Sequence, residues 1–276
     1  MLSKKIKSPK TFSRAEMPKY FDVHSHLNFS DYQSDFGAVL KRLAETQTHT
    51  IVVGTDFESS VKGVNLADRH PEIYACIGVH PVDEKSENFE VSRFEALIKH
   101  PKVVMIGECG MDFYHAKKEK DYERQKKLFL AQIEFAVAHD KPVMIHARNA
   151  YQEILEILEP MKKTRGAKLR GNVHFFTGNV DIAQRFFDIG FTVSFTGVIT
   201  FARDFDEVIK SAPLETIMSE TDAPYVAPLP HRGQRNEPSY VSEVVRKIAT
   251  IRDEDEEMVS IALVNNARAM IGLGNL

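Results

Sequence analysis

Eight short apolar runs rich in Val, Ile and Phe recur from Tyr20 onward, each separated from the next by a longer charged segment. They cover residues 20–26, 50–56, 74–80, 103–108, 142–148, 172–177, 191–196 and 216–222. Runs of this length with polar flanks read as strands buried on both faces. The segments between them carry helical spacing. Leu128, Ile133 and Val137 share a face within residues 121–139, and Ile154, Ile157 and Leu158 do so within 149–163. Strands alternating with helices imply a parallel sheet. Eight of them in 276 residues imply an α/β fold of one domain, a closed (β/α)8 TIM-like barrel over residues 19–276. An open doubly wound sheet would want a glycine-rich loop after its first strand, and residues 27–31 contain no glycine. Residues 237–276 read as two closing helices, the second capped by Asp253, with acids at 254–257 suiting its positive end.

Hydrophobic residues at 43% and charged residues at 27% exclude a disordered chain. Lys and Arg number 36 against 39 Asp and Glu, a net charge of -3, so a polyanion must be met at a local site rather than by the whole surface. Two cysteines exclude a disulfide scaffold and point to a reducing compartment, so a cytoplasmic location is expected. No stretch approaches the ~20 apolar residues of a spanning helix, so no membrane association is expected. Nor does any feature call for an obligate protein partner. Residues 1–18 stand apart, with Lys4, Lys5, Lys7, Lys10 and Arg14 against Glu16. They lack the apolar core of a secretory signal. They read as a flexible basic tail, with weak contact to a polyanion as the functional alternative. The Pro-rich residues 223–238 form the longest irregular loop, directly after the eighth run.

Buried barrel strands should end in apolar residues unless chemistry intervenes, and several here end in metal-ligand types. The first carries Asp22-Val23-His24-Ser25-His26, and strict alternation puts Asp22, His24 and His26 on one face. The third ends in Gly78-Val79-His80-Pro81, the fourth in Gly107-Glu108-Cys109-Gly110, and the fifth in Ile145-His146-Ala147-Arg148. The sixth carries His174 and the eighth ends in Glu220-Thr221-Asp222. A lone histidine at a strand end is usually a hydrogen-bonded residue, and a lone buried Glu usually an ion-pair partner. His24, His26, Glu108, His146, His174 and Asp222, gathered at the C-terminal ends of five strands, are where this fold assembles active sites. Such a set suits one or two divalent cations, Zn²⁺ or Mn²⁺ more naturally than Mg²⁺. A pair of cations would share a carboxylate and a water whose pKa falls toward neutrality, with Asp222 able to take its proton. Imidazole ligands leave the cations strongly positive, which favours an anionic substrate. His80 reads as a substrate contact or a donor to the leaving group.

Together these motifs resemble the TatD-family metal-dependent hydrolases. The resemblance also rests on Met111-Asp112, Pro142-Val143-Met144, His174-Phe175-Phe176-Thr177-Gly178, and the block Ser219-Glu220-Thr221-Asp222-Ala223-Pro224-Tyr225 continuing through Arg232-Gly233 to Asn236-Glu237-Pro238. It runs in order from about Tyr20 to the C-terminus. It implies a TIM-like barrel of the amidohydrolase type with two divalent cations (Mg²⁺, Mn²⁺ or Zn²⁺). It implies a deoxyribonuclease, often a 3′ exonuclease on single-stranded or damaged DNA. By resemblance His24, His26 and Asp222 hold one metal, His146 and His174 the other, Glu108 bridges them, and Asp222 doubles as the base. The sequence departs from the family at Phe175, where a small residue or Cys is usual. It departs again after Asn265 and Asn266, where Met270 stands in place of a Phe. No Lys stands on the fourth strand, which argues against a carboxylated-lysine bridge.

Other residues stay open at this level. Arg148 suits a phosphate clamp or an ion pair with a barrel acid, and Arg232 suits substrate phosphates or loop ordering. Glu220 and Asp22 suit orienting a ligand from behind. Tyr225 and Phe113 suit base stacking or packing. Asp112 suits a loop-backbone partner or an acid behind a ligand. Cys109 is expected as a buried free thiol and Cys76 as core. The alternative activity is ester or amide hydrolysis, such as removal of D-amino acids from tRNA. A binding protein on a dead scaffold is disfavoured by the intact ligand set.

Overall fold

Parallel strands need a crossover of a dozen or more residues, and each apolar run is followed by one. In the computed structural model, which describes residues 17–82 and 88–274, the runs become β1 (Tyr20–Ser25), β2 (Thr48–Val53), β3 (Ile73–Ile77), β4 (Val103–Asp112), β5 (Val143–Arg148), β6 (Gly171–Val173), β7 (Phe191–Phe195) and β8 (Ile217–Ser219). They pair in parallel, in chain order, as one eight-stranded sheet that curls into a TIM barrel. The crossovers carry α1 (Phe36–Thr46), α2 (Phe57–Arg69), α3 (Val91–Leu97), α4 (Lys118–Ala138), α5 (Tyr151–Arg165), α6 (Val180–Asp188) and α7 (Asp206–Ser211). Two more helices follow, α8 (Val241–Arg252) and α9 (Glu256–Met270). Asp253 does not cap α9. It ends α8 in the left-handed region (φ 57°), and Asp255 caps α9 by accepting from Met258 N–H at 3.0 Å. The basic segment lies outside the described residues except for Met17 and Pro18.

Strand alternation divides the apolar residues into two cores. Phe21, Val23, Ile51, Val53, Cys76 and Met105 pack inside the barrel, whose lower end α9 plugs with Val264 and Ala267. Val52, Ile77, Phe129, Ile154 and Phe186 belong to the larger layer between strands and helices. Cys76 and Cys109 are both buried free thiols.

Two irregularities shape the C-terminal end of the barrel. The β1/β2 register slips between Asp22 and Ser25. Strict alternation therefore fails, and Asp22 does not share a face with the imidazoles. Instead it stitches the barrel seam. Its carboxylate accepts from Thr221 N–H and Thr221 Oγ1, both at 2.8 Å, and from Thr50 Oγ1 at 3.1 Å. An isolated bridge between Ser25 and Ala223 completes the join of β1 to the β8 end. The second irregularity is a slip in β4 between Ile106 and Cys109. Gly107 and Gly110 flank Glu108 at φ +142° and +144°, and a Cβ on either would sit 2.4 Å from Met144 O or 2.0 Å from His146 O. Only glycine allows β4 to press this closely on β5 while turning Glu108 into the mouth.

Candidate metal centre

Glu108 is the hub. One oxygen, Oε2, lies 3.3 Å from His24 Nε2 and 3.8 Å from His26 Nε2. The other, Oε1, lies 2.7 Å from both His146 Nδ1 and His174 Nε2. Asp222 Oδ1 stands 3.7 Å from His24 Nε2 and 3.5 Å from His26 Nε2. The six residues picked out by spacing thus meet at the C-terminal mouth of the barrel, and all but His146 are at least nine-tenths buried. His24 and His174 stack at 4.0 Å between ring centroids. The donor atoms of His24, His26 and Asp222 lie close enough together to share one ion, as do those of His80, Glu108 and His146.

Two of the four imidazoles, His26 and His146, are held from behind, which fixes which of their nitrogens faces the centre, whereas the Nδ1 atoms of His24 and His174 are buried without a hydrogen-bond partner. His26 Nδ1 lies 3.1 Å from Val53 O, and His146 Nε2 lies 3.1 Å from Asp112 Oδ2. His174 Nδ1 stands 3.5 Å from Glu220 Oε1, beyond good hydrogen-bond geometry. Glu220's oxygens are already engaged by Phe175 N–H at 2.8 Å and Ser194 Oγ at 2.5 Å, so it braces the His174 side rather than the mouth. Among the histidines Asp22 meets only the backbone N–H of His24, at 3.2 Å. Asp112 fills both roles left open for it. Besides His146 it accepts from the backbone N–H of Tyr114 and His115 and from the His115 ring.

Two glutamines escaped the sequence reading. Gln132, on the buried face of α4, bonds both N–H and C=O of Val79, the residue before His80. Gln125, two turns earlier, does the same for Asp112. Two amides seven residues apart on an apolar helix face were the available signal.

The electrostatics favour a cation. Burial opposes charge on every group, yet Asp112 and Glu108 raise the pKa of His146, Glu108 and Glu220 raise that of His174, and Asp222 and Glu108 raise that of His26. His24, lowered by burial and by His174, is the exception. Glu108 and Asp222 stay anionic against burial, Glu108 chiefly through His174 and His24, Asp222 through His26 and His24. A buried cluster that pulls protons onto imidazoles fits a divalent cation in their stead, and the nitrogen-and-carboxylate donors suit zinc or manganese.

His80 is set apart by its hydrogen bonds. Burial and the nearby His146 push its pKa down to about 3, so it is neutral. Its Nδ1 accepts from Val82 N–H at 3.3 Å. That places the proton on Nε2, which points at His146 and Glu108 at 3.3 and 3.6 Å. The geometry groups His80 with candidate ligands, but this tautomer makes it a donor.

Above the centre opens a cleft of ≈ 1570 Å³. Arg148 lines it with its guanidinium 4.4 Å from the ring centre of Tyr114. Tyr225 lines it too, edge-on to His26 at 6.3 Å. Arg232 turns away, stacked over Phe201 at 3.7 Å and absent from the lining, because the loop folds its guanidinium onto that ring. Phe113 packs near Tyr122 and also lies outside the lining. Phe175 does line the cleft, at φ 46°. Asn266 anchors α9 to the carbonyls of Leu214 and Ile217, a packing role. No helix among the described residues is long and apolar enough to cross a membrane.

Comparison with known proteins matches residues 21–272 to the family model described as TatD related DNase. An uncharacterized metal-dependent hydrolase, YabD, of Bacillus subtilis is 36% identical over 91% of this chain and 98% of its own length. A protein of Escherichia fergusonii named 3′-5′ ssDNA/RNA exonuclease TatD is 31% identical over 92% of this chain and 99% of its own. The crystal structure of YjjV, a TatD homologue from Escherichia coli, superposes with a TM-score of 0.84 at 28% identity, covering 92% of this chain and 98% of that one.

Proposed function

The chain belongs to the family of TatD-related DNases and is a metal-dependent hydrolase; on that premise we propose that it cleaves phosphodiester bonds of DNA, as a 3′-5′ exonuclease on single-stranded or damaged ends. The exonuclease name of the Escherichia fergusonii relative supports the substrate. The observation that carries the reading is the division of labour at Glu108, one oxygen toward His24 and His26 and the other toward His146 and His174. A carboxylate so placed could hold one divalent cation through each oxygen, with Asp222 completing the set of His24 and His26. Bound there, the cations would generate a nucleophile from water at neutral pH and carry the charge that develops on the phosphoryl group.

The chain's own groups do the rest. Asp222, anionic and at the rim of the first set, takes the proton of the attacking water. His80 donates from Nε2–H to the departing oxygen. Arg148 meets a strand phosphate and Tyr225 a base. Asp112 keeps His146 turned toward Glu108, and Glu220 braces the strand end that carries His174.

Digestion of 3′-labelled single-stranded DNA after chelation, with Mg²⁺, Mn²⁺ and Zn²⁺ restored separately, tests this. Stepwise shortening that needs metal is expected, and Asp222→Asn should slow it by about 10²–10⁴-fold with the fold intact. An active Asp222→Asn would remove it as the base. No cleavage with any cation, from metal-loaded protein, would overturn the nuclease reading and make D-aminoacyl-tRNA the next substrate.

A further inference from the structure

Among the described residues the exposed large hydrophobics are Val91, Tyr114, Tyr225, Leu229, Met258 and Ile261. The two aromatic ones, Tyr114 at 64% exposure and Tyr225 at 53%, both line the cleft. They stand on opposite sides of it. Tyr114 follows β4 and Tyr225 follows β8, and strands four apart in a ring of eight face each other across the axis. The Glu108 centre lies between them. Each ring is also tied to that centre through its backbone. Tyr225 N–H donates to Asp222 O at 2.9 Å. Tyr114 N–H donates to Asp112 Oδ1 at 2.9 Å, while Asp112 Oδ2 holds His146. Arg148 lies over one face of Tyr114 and the His115 ring meets it edge-on at 4.9 Å, yet the residue stays 64% exposed. A ring backed by a guanidinium is a strong stacking surface, and the cation adds attraction for a polyanion.

We infer that Tyr114, backed by Arg148, and Tyr225 are two stacking platforms for the bases on either side of the scissile phosphate of a single-stranded nucleic acid. The inference rests on the nuclease reading and adds to it a subsite and a path, with the strand crossing the mouth from the β8 side to the β4 side. It also gives a physical reason for single-strand preference. In a duplex both faces of each base are already stacked, and only splayed bases can lie on two rings across a cleft.

The chain contains no Trp, so Tyr114→Trp and Tyr225→Trp each install a lone indole that keeps a stacking face and reports on it. Metal-loaded variants are titrated with a short phosphorothioate oligothymidylate, whose linkages resist hydrolysis, and with an abasic chain of equal length. Binding is followed by anisotropy of a label on the oligomer. Both indoles should be quenched as the thymidylate binds and neither by the abasic chain. Tyr114→Ala should raise the Kd for thymidylate roughly five-fold or more, with a smaller rise for the abasic chain. Binding with a silent indole overturns that platform and leaves the nuclease reading standing. Absence of binding, together with absence of cleavage of an unmodified oligothymidylate, overturns the nuclease reading and the platforms with it.

Discussion

Glu108 has the widest reach of any residue at the centre, since its two oxygens face two imidazole pairs. Glu108→Ala should therefore lose at least one bound metal per chain, read by elemental analysis of purified protein; unchanged stoichiometry would end its bridging role. His80 lies as close to the centre but carries its proton toward it. His80→Ala should keep the metal content of the wild type while kcat falls by about 10²-fold or more. Loss of metal instead would make His80 a ligand and reverse the tautomer argument. These residues were legible because chemistry forced them into an unusual place. A histidine or glutamate at the end of an otherwise apolar strand has few other reasons to be there. The face of Asp22 is not legible for a complementary reason: alternation does not carry through a strand that slips between Asp22 and Ser25.

At the scale of elements, β4 carries more than its share. It extends to Asp112, four residues beyond its expected end, and the extension joins a ligand-facing acid to the loop that bears Tyr114. Asp112→Ala removes the acceptor behind His146 Nε2 and frees the Tyr114 turn at once. Metal affinity should fall about 10–100-fold, measured by competition with a chromophoric chelator. Unchanged affinity would mean that backbone alone sets the His146 ring. The strands were legible because burial on both faces demands β-branched runs whatever the function. The rims were not, because loop paths answer to long-range partners. Arg232 could not be known to lie on Phe201, nor Gln125 and Gln132 to hold Asp112 and Val79, without the fold that brings them together.

For the whole molecule, the lower end of the barrel sets a pH limit. His49 sits among Phe21 and Tyr74 with Lys102 and Arg268 nearby, and burial followed by those cations depresses its pKa to about 4. The unfolded chain binds a proton there near pH 6.5 and the folded one resists until about pH 4. Stability from this group is complete above pH 6.5 and is lost as pH falls toward 4, by up to about 2 kcal/mol at pH 5. The drop in Tm between pH 7 and pH 5 should shrink in His49→Gln; an equal drop would assign the acid sensitivity elsewhere. The seam between β1 and the β8 end has a different bearing. Asp22 and Thr221 are 199 positions apart in the chain, and their contact closes the ring. Long-range closures come late in folding, since the entropy of a large loop must be met before the contact repays it. His24 and His26 lie on one side of that join and Asp222 on the other. Half of the centre is therefore a property of the finished circle, and a nascent or truncated chain lacks it. Hydrolytic power would arrive last in the life of each molecule, after its own synthesis and folding are complete.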